Sequence, residues 1–285
     1  MVGAGVAGLT AAHELVRRGH DVTVYEASPR LGGRLRSIRA HGTVVDLGAQ
    51  YLTIRDATFR ETVQPMLDQG RLVEWARAFP YWEGGVLHDP MGDEEPRYVA
   101  PLGMDDVASF LADGLDIRLR SPVTALGELA ADRYVVALPP KAALALVPGL
   151  PQVSRPCLAL ATAYDAPAPE WRGMFVNEHE TVQWISVDSS KRRSGTVLVV
   201  HLREGLRPSA DRALSAVGDV VGPWAARPAW MVSCWWEEAR IVDALSDGMI
   251  SAPAERAVVC GDWCCGSRVE GAFLSGLAAA RAIAP

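Results

Sequence analysis

The chain has 285 residues, of which 49% are apolar and 22% charged, so it can bury the cores of about two domains. Its formal net charge of −6 argues against a nucleic-acid partner, because a phosphate-binding face needs clustered positive charge. Prolines and a lysine interrupt the longest apolar stretch, residues 134–150, so we expect no membrane span and no membrane partner. We expect no signal peptide, because the chain opens directly on a glycine-rich turn. Because no C-x-x-C pair is present, the cysteines are interpreted as those of a cytoplasmic protein.

A glycine-rich turn, residues 3–8 (GAGVAG), opens the chain. A helical pattern follows to Arg18, and a strand-like run then ends at Glu26. This order is typical of a βαβ dinucleotide-binding unit, in which the glycines let the pyrophosphate approach the start of the helix. Glu26 is placed to accept hydrogen bonds from the adenosine ribose. The expected cofactor residues of this unit are Gly3, Gly5, Val6, Ala7, Gly8, Glu26 and Ala27.

The strand before this turn is short, because only Met1 and Val2 precede Gly3. A strand usually has about 5–6 residues. We therefore expect the central strand to lack ladder hydrogen bonds and core contacts, which lowers the stability of the fold.

Two further segments favour FAD over NAD. The run Gly32-Gly33-Arg34 brings backbone close to the ligand, and its arginine can pair with the pyrophosphate. Near the other end, a short strand ends in a Gly-Asp pair suited to ribityl hydroxyls, and a helix start follows that can face the flavin pyrimidine. The expected cofactor residues of these segments are Gly33, Arg34, Gly261, Asp262, Val269, Glu270, Gly271 and Ala272.

These motifs together resemble the flavin amine oxidase superfamily and, within it, the renalase-like proteins. The segments that point to the renalase-like branch are residues 48–51 (GAQY) and 189–191 (SSK). The resemblance implies that Gly48, Ala49 and Gln50 lie near the isoalloxazine ring.

One departure from the family pattern concerns the connection that follows Val123, the residue implied to hold the adenine through its backbone. Family members carry a β-hairpin between a strand near Val123 and one near Val135. Only residues 124–133 connect them here, so we expect a shortened or missing hairpin.

The implied architecture is an α/β fold with a Rossmann-type FAD-binding domain and an interleaved antiparallel-sheet substrate domain of α+β type. The FAD-binding domain would comprise residues 1–53, 114–150 and 252–285. The substrate domain would comprise residues 54–113 and 151–251. We expect the substrate pocket between them.

The resemblance also implies an oxidase that takes hydride at flavin N5 from a dihydronicotinamide-type small molecule, such as an isomer of NAD(P)H, and passes electrons to molecular oxygen. The flavin supplies the chemistry, so no strong general base is required, and the sequence offers no convincing one. No zinc motif is present either, because His179-Glu180 lacks a second histidine at the right spacing. We therefore expect no metal. The candidate substrate residues are Gln50, Tyr51, Trp184, Lys191 and His201.

Each of these candidates also has a structural interpretation. Gln50 and Tyr51 could pack at the domain junction, and Lys191 could lie in a solvated hairpin turn. His201 and Trp184 could belong to the core. An aromatic wall of Trp184, Trp235 and Trp236 is a further hypothesis, whereas Cys264 and Cys265 are expected only to pack.

Two other functions stay open. An amine oxidase or desaturase of the same superfamily would favour a narrow aromatic cage without phosphate-binding charge. An impaired or truncated, non-catalytic flavoprotein is the second, and the short first strand and the short connection motivate it. The sequence predicts no oligomeric state.

Overall fold

The computed structural model of the protein describes residues 1–92, 94–192 and 195–284. The helices are, in chain order, α1 (Val6–Arg17), α2 (Ala57–Asp68), α3 (Asp105–Leu111), α4 (Pro140–Leu144), α5 (Ala210–Val221) and α6 (Val269–Ile283). The strands are β1 (Thr23–Tyr25), β2 (Ser37–Ala40), β3 (Thr43–Asp46), β4 (Val73–Ala76), β5 (Tyr81–Glu83), β6 (Val86–His88), β7 (Arg97–Val99), β8 (Asp116–Arg118), β9 (Tyr134–Val136), β10 (Ser154–Tyr164), β11 (Gly173–Val176), β12 (Val182–Val187), β13 (Thr196–Leu202), β14 (Trp230–Ile241), β15 (Ile250–Ala252) and β16 (Ala257–Val259).

A mainly parallel layer has the order β8, β1, Val2, β9, β16 and β15. Val2 forms parallel bridges to both Tyr25 and Val136, and it is the central strand reduced to one residue. Its N–H donates to Val135 O at 2.9 Å, and its carbonyl accepts from Ala137 N at 2.8 Å. The two halves of this layer are therefore joined through Val2 and its neighbours.

Helices α1 and α6 cover this layer and pack closely against each other. A Cβ at Gly276 in α6 would overlap the Ala7 carbonyl oxygen and lie 3.0 Å from Thr10 Cβ. The buried Ser275 hydroxyl accepts from Gly261 N at 2.9 Å and donates to Gly248 O at 2.5 Å. Small residues on α6 thus set the distance between the two helices whose first turns are expected to face the cofactor.

The second layer is a seven-stranded sheet in the order β14, β10, β13, β12, β11, β5 and β6. Its strand pairs are antiparallel except for β11 and β5, which run parallel. The predicted antiparallel sheet is therefore a mixed sheet. One face packs against α5, and the other packs against Val45 and Leu47 at the end of the β2–β3 hairpin.

The connection between residues 123 and 134 contains a 3-10 turn at Leu126–Glu128 and no hairpin. Val123 lies in irregular backbone, so the prediction of a strand there is wrong, and the expected loss of the hairpin is confirmed. Leu126 is buried and anchors the connection. In the described residues, no helix combines the length and apolar character that crossing a membrane requires.

Candidate functional site

The glycine-rich turn has the geometry of a nucleotide-binding loop. Gly3 has φ +100°, and a Cβ there would overlap the Ala137 carbonyl oxygen. A Cβ at Gly8 would overlap Gly3 O, so the absence of a side chain at this position lets the turn lie close to α1. Gly5, the N-cap of α1, instead faces open space and carries no side-chain cap. The first N–H groups of α1 therefore face a space that an anionic group can enter.

Glu26 lies beside this turn. Its carboxylate accepts from Ala4 N and from Ser28 N, each at 2.8 Å. The side chain is half-buried, and Ala27 after it is exposed. These two hydrogen bonds fix the carboxylate at the end of β1, where the sequence places the ribose contact.

Arg34 and Asp262 join the two distant cofactor motifs. The guanidinium donates to both carboxylate oxygens of Asp262, at 2.9 and 2.6 Å. Gly32 N donates to Ala4 O at 2.9 Å, and Ala49 N donates to Arg34 O at 2.9 Å. The turn and the segments around residues 32–34, 49 and 262 thus converge on one place.

Helix α6 begins at Val269 without a side-chain cap, so its first N–H groups are open to a ligand. The buried Glu270 carboxylate has another task, because it accepts from Arg55 N at 2.6 Å and from Asp56 N at 2.7 Å. It thereby stabilises the start of α2. Gly271 packs against Gly266 O, which leaves the backbone of residues 269–272 as the part that can bind a cofactor.

These observations fit a dinucleotide. Two uncapped helix starts, an open face over Gly5 and an arginine beside them suit a pyrophosphate. When bound, FAD would supply the hydride-accepting and electron-transferring chemistry. Gly33, Arg34, Gly261 and Asp262 would lie along it, and the backbone contact expected of Val123 stays a prediction.

An aromatic cluster lies directly after the Gly48-Ala49-Gln50 segment. Tyr51 is 5.2 Å from Phe79 and 5.9 Å from Trp184, measured between ring centroids. Trp184 is 4.9 Å from both Phe79 and Phe175, and its indole lies on Gly173, where a Cβ would come within 2.7 Å. The members of this aromatic cluster are Tyr51, Trp75, Phe79, Phe175 and Trp184.

Arg97 of β7 adds a positive charge to the aromatic cluster. Its guanidinium lies 5.2 Å from the Phe79 ring centroid. Burial raises the pKa of Tyr51, although the charge of Arg97 acts in the opposite direction. No motif singles Arg97 out in the sequence, because its role depends on residues that are distant along the chain.

Lys191 does not lie in a solvated turn, so that interpretation is wrong. It is 5% exposed, and its ammonium donates to Asp46 at 3.1 Å, to Asp188 at 2.9 Å and to Gln50 Oε1 at 3.1 Å. All three of its N–H donors are thus engaged. Arg192 bonds the same two carboxylates, at 2.6 and 2.5 Å. We call Asp46, Asp188, Lys191 and Arg192 the charge cluster.

The charge cluster perturbs both of its carboxyl groups. Burial would raise the pKa of Asp46, but the charges of Lys191 and Arg192 outweigh it and lower that pKa to about 2. The pKa of Asp188 is raised by burial and by the neighbouring Asp46 carboxylate. The cluster also fixes Gln50, whose Oε1 accepts from Lys191 and Ser186.

Gln50 donates its own amide protons to Asp46 O at 2.5 Å and to Gly48 O at 3.0 Å. Its side chain therefore holds the segment that carries Gly48 and Ala49. Gln50 is buried, whereas Gly48 and Ala49 are partly accessible. A direct substrate contact by Gln50 or Lys191 stays a prediction that their present hydrogen bonds do not favour.

His201 lies opposite Trp184 in the β12–β13 pair. Burial lowers the pKa of His201 to about 4, and the charge of Lys191 contributes. Trp236 is on the same side and donates to Leu47 O at 2.9 Å. Trp235 projects to the opposite face, where the Arg207 guanidinium lies 3.7 Å from its ring centroid. The predicted wall of three tryptophans is therefore wrong for Trp235.

Two surface cavities, of about 300 and 360 Å³, lie elsewhere. The first is next to Arg30 and Leu102, and the second is next to Trp82 and His179. Neither contains a residue predicted to bind cofactor or substrate, and exposed side chains form much of each rim. The predicted cofactor and substrate residues therefore converge at a place away from both cavities.

Comparison with known proteins agrees with this geometry. Residues 1–69 match the family described as NAD(P)-binding Rossmann-like domain. Protoporphyrinogen oxidase 2 of Arabidopsis thaliana is 53% identical over 53 residues, which are 19% of this chain and 10% of that protein. An L-amino-acid oxidase of Crotalus adamanteus is 45% identical over 64 residues, 22% of this chain and 12% of that one. The matches thus span about a tenth of those relatives.

Solved structures resemble the chain over nearly its whole length. Putrescine oxidase bound to putrescine aligns with a TM-score of 0.71 at 15% identity, covering 99% of this chain and 97% of the other. Cyclohexylamine oxidase from Brevibacterium oxydans IH-35A aligns with a TM-score of 0.73 at 16% identity and the same coverage. At this level of identity, the likeness establishes the fold.

The comparisons thus establish an NAD(P)-binding Rossmann-like domain over residues 1–69 and, over nearly the whole chain, the fold of putrescine oxidase and cyclohexylamine oxidase. The predicted α/β fold with a Rossmann-type domain is confirmed. The relatives do not single out the renalase-like proteins.

Proposed function

We propose that the protein is an FAD-dependent oxidase that takes hydride from a small dihydronicotinamide-type molecule and passes electrons to oxygen, as a renalase-like enzyme would. The observation that carries the oxidase proposal is the convergence of Arg34 and Asp262 with the Gly3–Gly8 turn. That convergence assembles dinucleotide motifs from both ends of the chain in a fold shared with flavin oxidases.

The titratable groups near the aromatic cluster support a substrate that needs no deprotonation. The three ammonium protons of Lys191 are bonded, and its two carboxylate partners are bonded in turn by Arg192. His201 has a pKa near 4 and is a weak base. A dihydropyridine becomes an aromatic cation on losing hydride, so this chemistry requires no strong base from the protein.

An amine oxidase is the second candidate, and the aromatic cluster favours it because aromatic rings bind organic cations. Arg97 opposes it, since its positive charge lies beside Phe79 and Tyr51. A cationic amine entering this cluster would be repelled, whereas a phosphate-bearing dinucleotide would be attracted.

The experiment is anaerobic mixing of the FAD-loaded protein with dihydropyridine isomers of NADH and, separately, with putrescine and cyclohexylamine. We expect rapid bleaching of the flavin absorbance only with the dihydropyridines, followed by hydrogen peroxide on admitting air. Bleaching by the amines alone would contradict the proposal. Protein that folds but retains no flavin would instead support the non-catalytic alternative.

The proposed partners are a small-molecule donor and molecular oxygen, in the cytoplasm. All five cysteines are free thiols, which is consistent with a reducing compartment.

A further inference from the structure

Two buried hydrogen-bond donors at the aromatic cluster have no partner among the residues that the structure describes. They are Trp184 Nε1 and Arg97 Nε. Trp184 is only 6% exposed, so its indole N–H cannot bind bulk water. The other buried polar atoms without a partner among these residues are Thr10 Oγ1 and His201 Nε2. A buried donor without an acceptor costs about 1–3 kcal/mol, so each such atom calls for an explanation.

Both donors flank one ring. Phe79 packs at 4.9 Å against Trp184 in an edge-to-face arrangement, and the Arg97 guanidinium lies 5.2 Å from the same ring centroid. The Tyr51 ring packs against Phe79 and Trp184, and the charge of nearby Arg97 opposes the raised pKa of the Tyr51 hydroxyl. The unpartnered N–H groups therefore belong to one locality with an apolar wall.

Arg97 brings a positive charge to this locality. It lies near the Glu95 carboxylate, which is already ion-paired with Arg55. Arg97 also donates to the backbone carbonyls of Arg77 and Glu95, which fix its orientation and leave Nε unused. A positive, donor-rich place with aromatic walls suits an anionic acceptor on a flat apolar body.

We infer that the aromatic cluster is a subsite for a flat molecule bearing a carboxylate or phosphate group, and that Arg97 and Trp184 bind the oxygens of that group. Arg97 is then the residue that selects anionic substrates over amines. This inference rests on the proposed function in taking the aromatic cluster as part of the substrate pocket. It extends that function by naming the recognised group and the residues that recognise it.

The test is equilibrium binding of small probes to the oxidised, FAD-loaded protein. Binding is measured from the perturbation of the flavin spectrum and by calorimetry. The probes are benzoate, phenyl phosphate, benzyl alcohol, benzylamine and inorganic phosphate. We expect the two aromatic anions to bind at least 10-fold more tightly than benzyl alcohol, and benzylamine to bind most weakly. Inorganic phosphate shows whether charge alone suffices, and we expect it to bind more weakly than phenyl phosphate.

Arg97→Gln should weaken binding of the aromatic anions about 10- to 100-fold, which corresponds to about 1.4–2.8 kcal/mol at 1.4 kcal/mol per factor of ten. Benzyl alcohol should be little affected. Trp184→Phe keeps an aromatic ring and removes the N–H, so it should also weaken anion binding. The matched control is Arg77→Gln, which removes an exposed arginine paired with Glu74 and should leave anion affinity within twofold.

Arg97→Lys protects the test against a folding defect, because it keeps the charge and loses the planar set of donors. It should retain flavin and bind the anions with intermediate affinity. The inference is overturned if benzylamine binds more tightly than benzoate, or if Arg97→Gln binds the anions like the parent protein. If the anions bind as expected but dihydropyridines do not bleach the flavin, the proposed function fails and the subsite stands.

Discussion

Replacing Lys191 with methionine removes the only ammonium from the charge cluster. In the native protein, two cations face the Asp46 and Asp188 carboxylates, and all four side chains are buried or nearly so. The variant would leave a net charge of about −1 there, and Gln50 Oε1 would keep only its hydrogen bond from Ser186. Removing one partner from a buried ion pair costs about 3–5 kcal/mol. Because a whole domain is stable by only about 5–15 kcal/mol, the loss is easily measured.

The cost should depend on pH in a defined direction. Without Lys191, a carboxyl of the cluster relieves the excess charge by taking up a proton, so its pKa in the folded state rises above the unfolded value of about 3.9. A raised folded-state pKa contributes stability at low pH and loses it as pH increases. The variant's deficit should therefore be largest near pH 7.5 and smaller near pH 5.

The assay is urea unfolding of Lys191→Met and of the parent protein at both pH values. The matched control is Lys141→Met, because Lys141 is the other lysine of the chain and forms only an exposed pair with Glu237. Such pairs contribute about 0–1 kcal/mol. The double variant Asp188→Asn/Lys191→Met restores neutrality and should recover part of the loss. A deficit no larger than that of Lys141→Met, or one that grows on acidification, would refute the reasoning.

Three further predictions concern other parts of the fold. His201 has a folded-state pKa near 4 against about 6.5 when unfolded, so the free energy of unfolding should fall by about 2 kcal/mol between pH 7.5 and 5 through this residue. In His201→Gln, urea unfolding should show a smaller dependence of stability on pH. An unchanged dependence would contradict the burial argument. Gly276→Ala should lower the free energy of unfolding by about 1–3 kcal/mol, because the added Cβ meets the Ala7 carbonyl. The control is Gly127→Ala, at a position that faces open space, and it should change the free energy of unfolding by less than about 0.5 kcal/mol. Arg34→Met should weaken FAD retention at least 10-fold in a desalting or fluorescence assay, and full retention would exclude a pyrophosphate contact.

The parts of the site that are local in sequence could be predicted. The Gly3–Gly8 turn, α1 and Glu26 form one continuous unit, so spacing alone specifies their arrangement. Long strands such as β10 and β13 contain enough residues for an apolar pattern to show in the sequence. In each case the pattern itself lies within a short stretch of chain.

The short strands could not be predicted in the same way. Strands β4 to β7 contain only three or four residues each, too few for an alternating pattern to emerge. The parallel pairing of β11 with β5 depends on a connection across the sheet and leaves no mark in either strand. Neither feature has a local signal.

The burial of charged side chains was also not predicted from the sequence. Lys191 follows two serines and precedes an arginine, a composition typical of a solvated turn. Its burial is decided by Asp46, which is 145 positions away. The same applies to Arg97, whose significance depends on contacts with Tyr51 and Phe79.

The ion pair between Arg34 and Asp262 has a consequence for the order of events during synthesis. Its partners are separated by 228 positions, so the pair cannot form until residue 262 has left the ribosome. The N-terminal βαβ unit alone thus lacks one side of the cofactor site. We expect FAD to bind late, after the chain has collapsed. We also expect newly made protein to be most susceptible to proteases just before FAD binds.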